Sequence, residues 1–236
     1  MQIDEISKET GFSKATTYRL VRILINNGFM EKDINNRGYR LGIRLLQMGH
    51  IVLHQKRLPD IAQPFMEELR DNTQESVSLD VIEGHEVFIL RSVAGMHPMR
   101  MNRREGSTMP FHTGSPSKVL MAFLSSEEQD KIIQKGLKKY TENSITDPIE
   151  LKRELALIRE RGYATSDQEL QFGARSVAAP IRDYSGKVIA CVGISGPVHR
   201  FDQEKIKDLI PVLLDYAHRI SVEMGYEGQP SKGKAN

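Results

Sequence analysis

The chain has 236 residues, of which 39% are hydrophobic and 27% are charged, and it contains one cysteine. This length accommodates one large domain or two smaller ones, with a core that needs no disulfide or metal. No run approaches the ~20 consecutive apolar residues of a membrane helix, and the first residues lack the pattern of a signal peptide. Because Cys191 has no partner for an internal disulfide, we expect a cytoplasmic protein with no membrane partner.

Positive charge is concentrated at the start of the chain. Residues 1–58 hold ten Lys and Arg against five Asp and Glu, whereas the remaining residues hold 23 against 26. A basic segment joined to a mildly acidic body is typical of nucleic-acid binding. Charge also fluctuates along chains by chance, so the interpretation depends on finding a motif in this segment.

Residues 1–41 show the pattern of two short helices followed by a wing. The first helix is predicted over residues 2–10, with Gly11 as its stop. The second begins at the N-cap Ser13 and ends before Gly28. Two short helices joined by a tight turn are typical of a helix-turn-helix. We expect the second helix to have an apolar stripe formed by Ala15, Leu20, Ile23 and Leu24.

The wing and the second helix carry the candidate DNA contacts. Residues 29–32 and 39–41 flank a turn-rich loop and predict a two-stranded wing with Arg37 at its tip. Hydroxyl and cationic side chains on the second helix suit base edges and phosphates. The alternative is a helical hairpin with a solvated polar face. The predicted DNA-binding residues are Ser13, Lys14, Thr16, Thr17, Tyr18, Arg19, Arg22 and Arg37.

Residues 3–46 resemble the winged helix-turn-helix of the IclR family of bacterial transcriptional regulators. The resemblance rests on the run from Gly11 to Val21, on Gly28-Phe29-Met30 and on Tyr39-Arg40-Leu41-Gly42. It implies a protein that binds a double-stranded DNA operator. Family members usually have a further helix before this point, whereas the chain given starts at the position of the second helix. A second hypothesis is therefore a ligand-binding dimer that does not bind DNA.

Residues 42–58 are apolar on most sides and predict a helix that is buried or paired with another copy. In IclR-like regulators this position is a linker helix that helps to form the dimer. His50 and His54 lie one turn apart and could ligate a metal, but no carboxylate or cysteine accompanies them. A helix surface is the preferred interpretation, and we expect no metal.

Residues 59–226 predict an α+β domain with a sheet flanked by helices, and residues 227–236 a disordered tail. Apolar alternation predicts strands and 3.6-residue periodicity predicts helices. The expected strands are 76–82, 85–93, 97–102, 163–166, 176–181 and 187–195. The expected helices begin near Pro59 and continue with 115–124, 126–135, 147–161 and 202–224.

The resemblance extends over this domain, through the segments 106–123, 161–164, 173–181 and 194–197. It implies a GAF-like, IclR-type domain that binds a small-molecule effector. The start of the helix after Thr113-Gly114 favours a carboxylate. The strand serines could instead be satisfied by their neighbours. The positions that the resemblance assigns to effector binding are Met101, Met109, Ser115, Pro116, Ser117, Ser166 with Asp167, Ser176, Gly193 and Ser195.

Three of these positions depart from the family's usual residues. A common cysteine is Ser176 here, a common serine is Gly193, and the usual glycine before Lys118 is Ser117. These changes alter the size and hydrogen bonding of the expected pocket. The effectors of other family members therefore cannot be assumed for this chain.

These features together predict a DNA-binding repressor that is controlled by a small carboxylate or sugar acid and forms a homodimer or a tetramer. A hydrolase built on Ser176, His112 and Asp167 is the competing hypothesis. The chain contains no G-x-S-x-G, Walker or H-E-x-x-H motif and no paired-cysteine site. We therefore expect no enzymatic activity and no cofactor.

Overall fold

The computed structural model describes residues 1–33, 38–48, 58–84 and 86–228. The chain divides into two compact units between Arg57 and Leu58. The predictions for Arg37, His50, His54 and the tail beyond residue 228 lie outside the described residues. The first unit consists of α1 (Ile3–Thr10), α2 (Lys14–Asn26), β1 (Met30–Asp33), β2 (Gly38–Leu41) and α3 (residues 43–48).

The start of α2 follows the prediction, but its packing does not. The Ser13 hydroxyl accepts a hydrogen bond from the Thr16 amide at 3.3 Å, and Gly11 ends α1 in the left-handed region at φ 72°. The buried residues of α2 are Thr17 and Val21. The predicted apolar stripe is wrong in part, because its largest members lie mostly outside the buried side of α2. Their exposed fractions are 38% for Leu20, 51% for Ile23 and 39% for Leu24.

Strands β1 and β2 form the predicted antiparallel wing, with Met30 opposite Leu41 and Asp33 opposite Gly38. Arg40 donates to the Glu31 carboxylate across the pair at 3.0 Å, and this hydrogen bond raises the pKa of the guanidinium. Gly42 follows β2 directly. A Cβ there would lie 2.1 Å from the Gly28 carbonyl oxygen, so only glycine fits where the chain leaves the wing.

The second unit contains one six-stranded antiparallel sheet with the strand order β5-β4-β3-β8-β7-β6. None of the described helices is long and apolar enough to cross a membrane. The elements are α4 (Leu58–Thr73), β3 (Ser76–Glu83), β4 (Glu86–Val93), β5 (Thr108–Met109), α5 (Ser115–Ala122), α6 (Ser126–Gln134), α7 (Pro148–Arg161), β6 (Ala164–Asp167), β7 (Ala174–Arg182), β8 (Val188–Pro197) and α8 (Gln203–Glu223).

The prediction of a strand over residues 97–102 is wrong, whereas the other predicted elements of this unit are present. Pro98 has no amide hydrogen to donate to a ladder. The Ser76 hydroxyl donates to the Met101 carbonyl at 2.7 Å, which holds the segment as an irregular loop. The short strand β5 pairs with β4 instead, through Val87 and Met109.

Each face of the sheet packs on its own hydrophobic core. Val192 and Ile194 point into the core that includes residues of α4 and α8. Cys191, which directly precedes Val192 in the strand, points into the core that includes residues of α5 and α7. Successive side chains of a strand leave opposite faces, so β8 supplies both cores. Gly193 and Ser195 therefore share the α5 face with Cys191.

Helix α7 depends on an N-cap that also positions its buried side chains. One oxygen of Asp147 accepts from the amides of Ile149 at 2.9 Å and Glu150 at 2.8 Å. The helix then buries Leu151, Leu155 and Ile158 in the core on the α5 face.

We expect Asp147→Ala to lower the free energy of unfolding by about 1 kcal/mol, because it leaves two amides of the first turn without an acceptor. Denaturant unfolding followed by circular dichroism measures the change. Thr146→Ala, at the exposed preceding residue, is the matched control and should stay within about 0.5 kcal/mol of the parent. An equal loss in both variants would contradict the role of the cap.

A cross-strand ion pair joins β6 to β7 at Asp167 and Arg175. The carboxylate accepts from the Arg175 Nε at 2.8 Å and from a terminal nitrogen at 3.1 Å. This bidentate hydrogen bond lowers the pKa of Asp167. The carboxylate side chain is 44% exposed, so solvent weakens the pair.

Because the folded pKa of Asp167 is depressed, its contribution to stability is present above the unfolded value of about 3.9 and is lost as the pH falls through the folded value. We expect Asp167→Asn to be destabilised by less than about 1 kcal/mol at pH 7 and to match the parent near pH 2. Urea unfolding across this range measures the difference. Glu142→Gln, at a carboxylate that is 91% exposed, is the control. A difference that is constant with pH would exclude the ion pair as its cause.

Candidate DNA-binding surface and ligand cavity

The exposed face of α2 is cationic. Arg19 and Arg22 are exposed, and neither makes a hydrogen bond or ion pair with any residue in the part of the chain that the structure describes. Tyr18 is 55% exposed beside them. Lys14 forms an exposed ion pair with Asp4 at 2.9 Å. Two of the predicted contacts therefore carry a guanidinium that is available for phosphate.

The remaining predicted residues at the start of α2 have structural partners. The hydroxyls of Ser13 and Thr16 lie 3.0 Å apart, and Ser13 caps the helix. Thr17 is 2% exposed and donates its hydroxyl to the Ser13 carbonyl at 3.0 Å. Thr17 was expected to contact DNA. It lies instead on the buried side of α2, where it faces the interior of this unit and stabilises the start of the helix.

Four serines are directly paired across four neighbouring strands of the second unit. Ser195 of β8 lies opposite both Ser76 of β3 and Ser176 of β7, and Ser176 lies opposite Ser166 of β6. Residues directly opposite each other in antiparallel strands share a face. These residues, here named the serine row, therefore form one line of hydroxyls on the α5 face of the sheet.

Helix α5 begins against the serine row. The Ser115 hydroxyl donates to the Ser176 hydroxyl at 2.7 Å. A Cβ at Gly193 would lie 3.2 Å from the ring of Pro116, so the glycine permits the close approach of α5 to β8. Ser117, in the same turn, is fully buried, and its hydroxyl has no hydrogen-bond partner within the described part of the chain. The start of α5 is thus held at the sheet by contact with β7 and β8.

A cavity of about 40 Å³ lies beside the serine row. Of the predicted residues, it is lined by Met101, Ser166, Ser176 and Ser195. Sequence reasoning missed the other lining residues. Arg175 adjoins Ser176 and could have been noticed there, whereas Arg103 lies in an irregular loop without periodicity. The missed residues are Arg103, Gly114, Leu170, Gln171, Ala174 and Arg175.

The other predicted effector residues lie around this cavity or away from it. Asp167 points to the opposite face of β6 from Ser166, since the two are adjacent in the strand. Met109 is buried in the core on the α5 face and does not line the cavity. Ser115, Pro116, Ser117 and Gly193 form the contact of α5 with the sheet, and Gly114 is the part of this turn that lines the cavity.

The loop between β6 and β7 is fixed to α5 by Glu169. Its carboxylate accepts from the Lys118 ammonium at 2.5 Å and from the Gly114 amide at 3.1 Å. Both Lys118 and Glu169 are buried. Because Leu170 and Gln171 of this loop line the cavity, the ion pair fixes one wall relative to the start of α5.

Two other depressions of the second unit contain neither Ser176 nor Ser195. One, of about 650 Å³, lies beside α6 and is lined in part by Phe111, Leu124 and Ile132. The other, of about 220 Å³, lies between β6 and α8 and contains the Asp167–Arg175 ion pair. Their residues do not match the expected effector positions, apart from Asp167.

The proposed hydrolase set does not converge. The His112 ring bonds the Lys138 carbonyl at 2.9 Å, Ser176 accepts from Ser115, and Asp167 bonds Arg175. Cys191 is fully buried, and burial raises the pKa of its thiol well above the usual value. Within the described ranges, no group of three or more His, Cys, Asp or Glu could hold a metal ion.

Comparison with known protein families gives a consistent result for both units. The model for the bacterial transcriptional regulator IclR C-terminal domain matches residues 50–222, and that for the IclR helix-turn-helix domain matches residues 1–33. The transcriptional repressor IclR of Escherichia coli strain K12 is 29% identical over 226 residues, covering 94% of this chain and 82% of that protein. The regulator KdgR of the same strain is 30% identical over 230 residues, covering 97% and 87%.

Solved structures agree with these relatives. The crystal structure of Thermotoga maritima IclR superposes with a TM-score of 0.69 at 32% identity, covering 96% of this chain and 92% of that chain. Pseudomonas aeruginosa HmgR superposes with a TM-score of 0.79 at 25% identity, covering 97% and 92%.

These similarities confirm the expected fold, a winged helix-turn-helix joined to an IclR-type α+β domain. The curated relatives are named as transcriptional repressors and regulators, so the expectation that the chain is not an enzyme is confirmed as well. The chain belongs to the IclR family of bacterial transcriptional regulators.

Proposed function

We propose that this regulator represses transcription by binding a two-fold operator as a homodimer, and that a small organic acid in the serine-row cavity controls this binding. One observation carries the proposal. The same chain has unpaired arginines on the exposed face of α2 and a cavity lined by hydroxyls beside the start of α5. The first feature suits phosphates and the second suits a small polar ligand.

The DNA-binding part rests on Arg19 and Arg22. They are three residues apart on α2 and therefore share a face of the helix. Tyr18 lies on the same exposed surface and can reach base edges or the backbone. A dimer would present two such helices to successive half-sites of one operator, and pairing of two dimers would give the tetramer.

The effector part rests on the size and polarity of the cavity. Its volume of about 40 Å³ is well below the ~300–1,000 Å³ of drug-sized ligand clefts, which favours a small molecule. The Ser195 hydroxyl lines the cavity and is buried without a hydrogen-bond partner among the residues that the structure describes. The start of α5, at Gly114, adds the positive end of a helix dipole, which favours a carboxylate over a neutral ligand.

Control of repression requires the binding of operator DNA and the binding of the acid to be coupled. If the acid weakens operator binding ten-fold, the acid must bind ten-fold more weakly to the DNA-bound form than to the free form. This reciprocity gives the proposal a second measurement, because operator DNA must then lower the affinity for the acid by the same factor.

The test of the proposal is fluorescence anisotropy with DNA from upstream of the gene and its neighbours. We expect a sequence-preferring complex whose affinity falls steeply between 50 and 200 mM salt. An organic acid that releases this DNA would support the control by an effector. A folded protein that gives no preference for any upstream sequence would contradict operator binding, and a footprint unchanged by every acid would contradict the control.

Single substitutions on α2 test the DNA-facing surface. We expect Arg19→Ala and Arg22→Ala each to weaken operator binding and to reduce the slope of log affinity against log salt by about one per dimer half-site. Lys135→Ala, at an exposed lysine of the second unit, is the charge-matched control and should leave the slope unchanged. Slopes equal to that of the parent in both arginine variants would show that this face does not contact phosphate.

A further inference from the structure

One guanidinium of the serine-row cavity has a donor that nothing in the described chain accepts. Arg103 lines the cavity, and its side chain is 15% exposed. Its Nε is buried and has no hydrogen-bond partner among the described residues. A buried charged donor without an acceptor costs more than a neutral one, so native proteins rarely retain it without a function.

The acid nearest to this guanidinium does not satisfy it. Asp80 of β3 is fully buried, and one of its oxygens lies 3.8 Å from a terminal nitrogen of Arg103, beyond hydrogen-bond distance. That oxygen has no hydrogen-bond partner in the ranges that the structure describes, whereas the other accepts from the Ser78 hydroxyl at 2.7 Å. Asp80 therefore acts as a counter-charge fixed by Ser78 and leaves the donors of Arg103 unused.

The second guanidinium of the cavity, that of Arg175, makes its hydrogen bonds within the protein. Arg175 donates through Nε and one terminal nitrogen to Asp167, and through the other terminal nitrogen to the Phe201 carbonyl. Of the two cavity arginines, Arg103 is thus the one with a buried donor to offer. Ser195, which lines the same cavity, has a buried hydroxyl that is also without a partner.

We propose that Arg103 binds the carboxylate of the effector and that Ser195 bonds a second oxygen of the same molecule. This inference rests on the proposed function and names the residue that recognises charge at its site. Arginine suits this role because its planar donors match a carboxylate. Asp80 holds the guanidinium as its counter-charge, so the site favours a singly charged anion over a dianion such as phosphate. The ligand class is an organic monocarboxylate with at least one hydroxyl or oxo group.

The test measures binding to the full chain by thermal shift and by titration calorimetry. The probes are lactate and glycerate, each with its neutral amide, and inorganic phosphate. We expect at least one of the acids to raise the melting temperature and to give a saturable isotherm. The corresponding amide and phosphate should bind at least ten-fold more weakly, because the amide lacks the charge and phosphate meets Asp80.

Substitution of Arg103 assigns the charge recognition to that residue. We expect Arg103→Met to weaken binding of the acid at least ten-fold. The double variant Arg103→Met with Asp80→Asn removes the buried carboxylate left behind, and should fold and show the same loss. Arg104→Met, at the exposed neighbour in the same loop, is the matched control and should bind the acid as the parent does.

Three results would overturn the inference: no acid of the panel binds the parent chain, acid and amide bind equally, or the Arg103 variants keep the affinity of the parent. Operator binding separates this inference from the proposed function. A parent chain that binds the acid through Arg103 but has no operator would keep this inference and contradict the repressor.

Discussion

The antiparallel register of β3, β8, β7 and β6 is the constraint on which the ligand cavity depends. It places Ser76, Ser195, Ser176 and Ser166 in one line, although the first and last are 90 residues apart in the chain. A shift of one residue in any pair would turn that serine to the other face, into an apolar core. The alternation of side chains along β8 fixes the register, because Val192 and Ile194 are buried in the core on the opposite face of the sheet from Ser195.

The same face of the sheet determines where α5 lies. Gly193 lies two residues before Ser195 on the same face of β8 and lets Pro116 approach this strand, so that the start of α5 comes within hydrogen-bond distance of Ser176. The buried Lys118–Glu169 ion pair then connects this helix to the loop that forms a cavity wall. A movement of α5 would therefore change the cavity, and occupation of the cavity would act on α5. This connection gives the proposed coupling a physical basis in the second unit.

The buried charges of Asp80 and Arg103 are the feature of this unit with the clearest cost in folding free energy. Desolvation raises the pKa of Asp80, and the 3.8 Å separation from Arg103 only partly offsets that penalty. Two apolar side chains would pack there at lower cost. The retention of an arginine with an unused donor is thus explained by ligand binding better than by stability, because a structural ion pair would satisfy its own hydrogen bonds.

Much of the fold could be predicted from local signals. Ser13 and Asp147 indicate helix starts, because their side-chain oxygens accept hydrogen bonds from backbone amides two or three residues ahead. Alternating apolar residues predicted the long strands. The family resemblance placed Ser176 and Ser195 near one another, and they are directly opposite each other in β7 and β8. The strand expected over residues 97–102 failed, since composition could not reveal that Ser76 holds this segment as a loop.

The sequence by itself determined the order of helices and strands, the family and the cationic character of α2, because caps, periodicity and charge act within a few residues. Only the tertiary structure decided that Thr17 is buried, that Asp167 leaves β6 on the far side from Ser166, and that Arg103 lines the cavity. These facts depend on which strands pair, in which register, and on where an irregular loop returns. Such contacts join residues that are far apart in the chain, so no local sequence pattern predicts them.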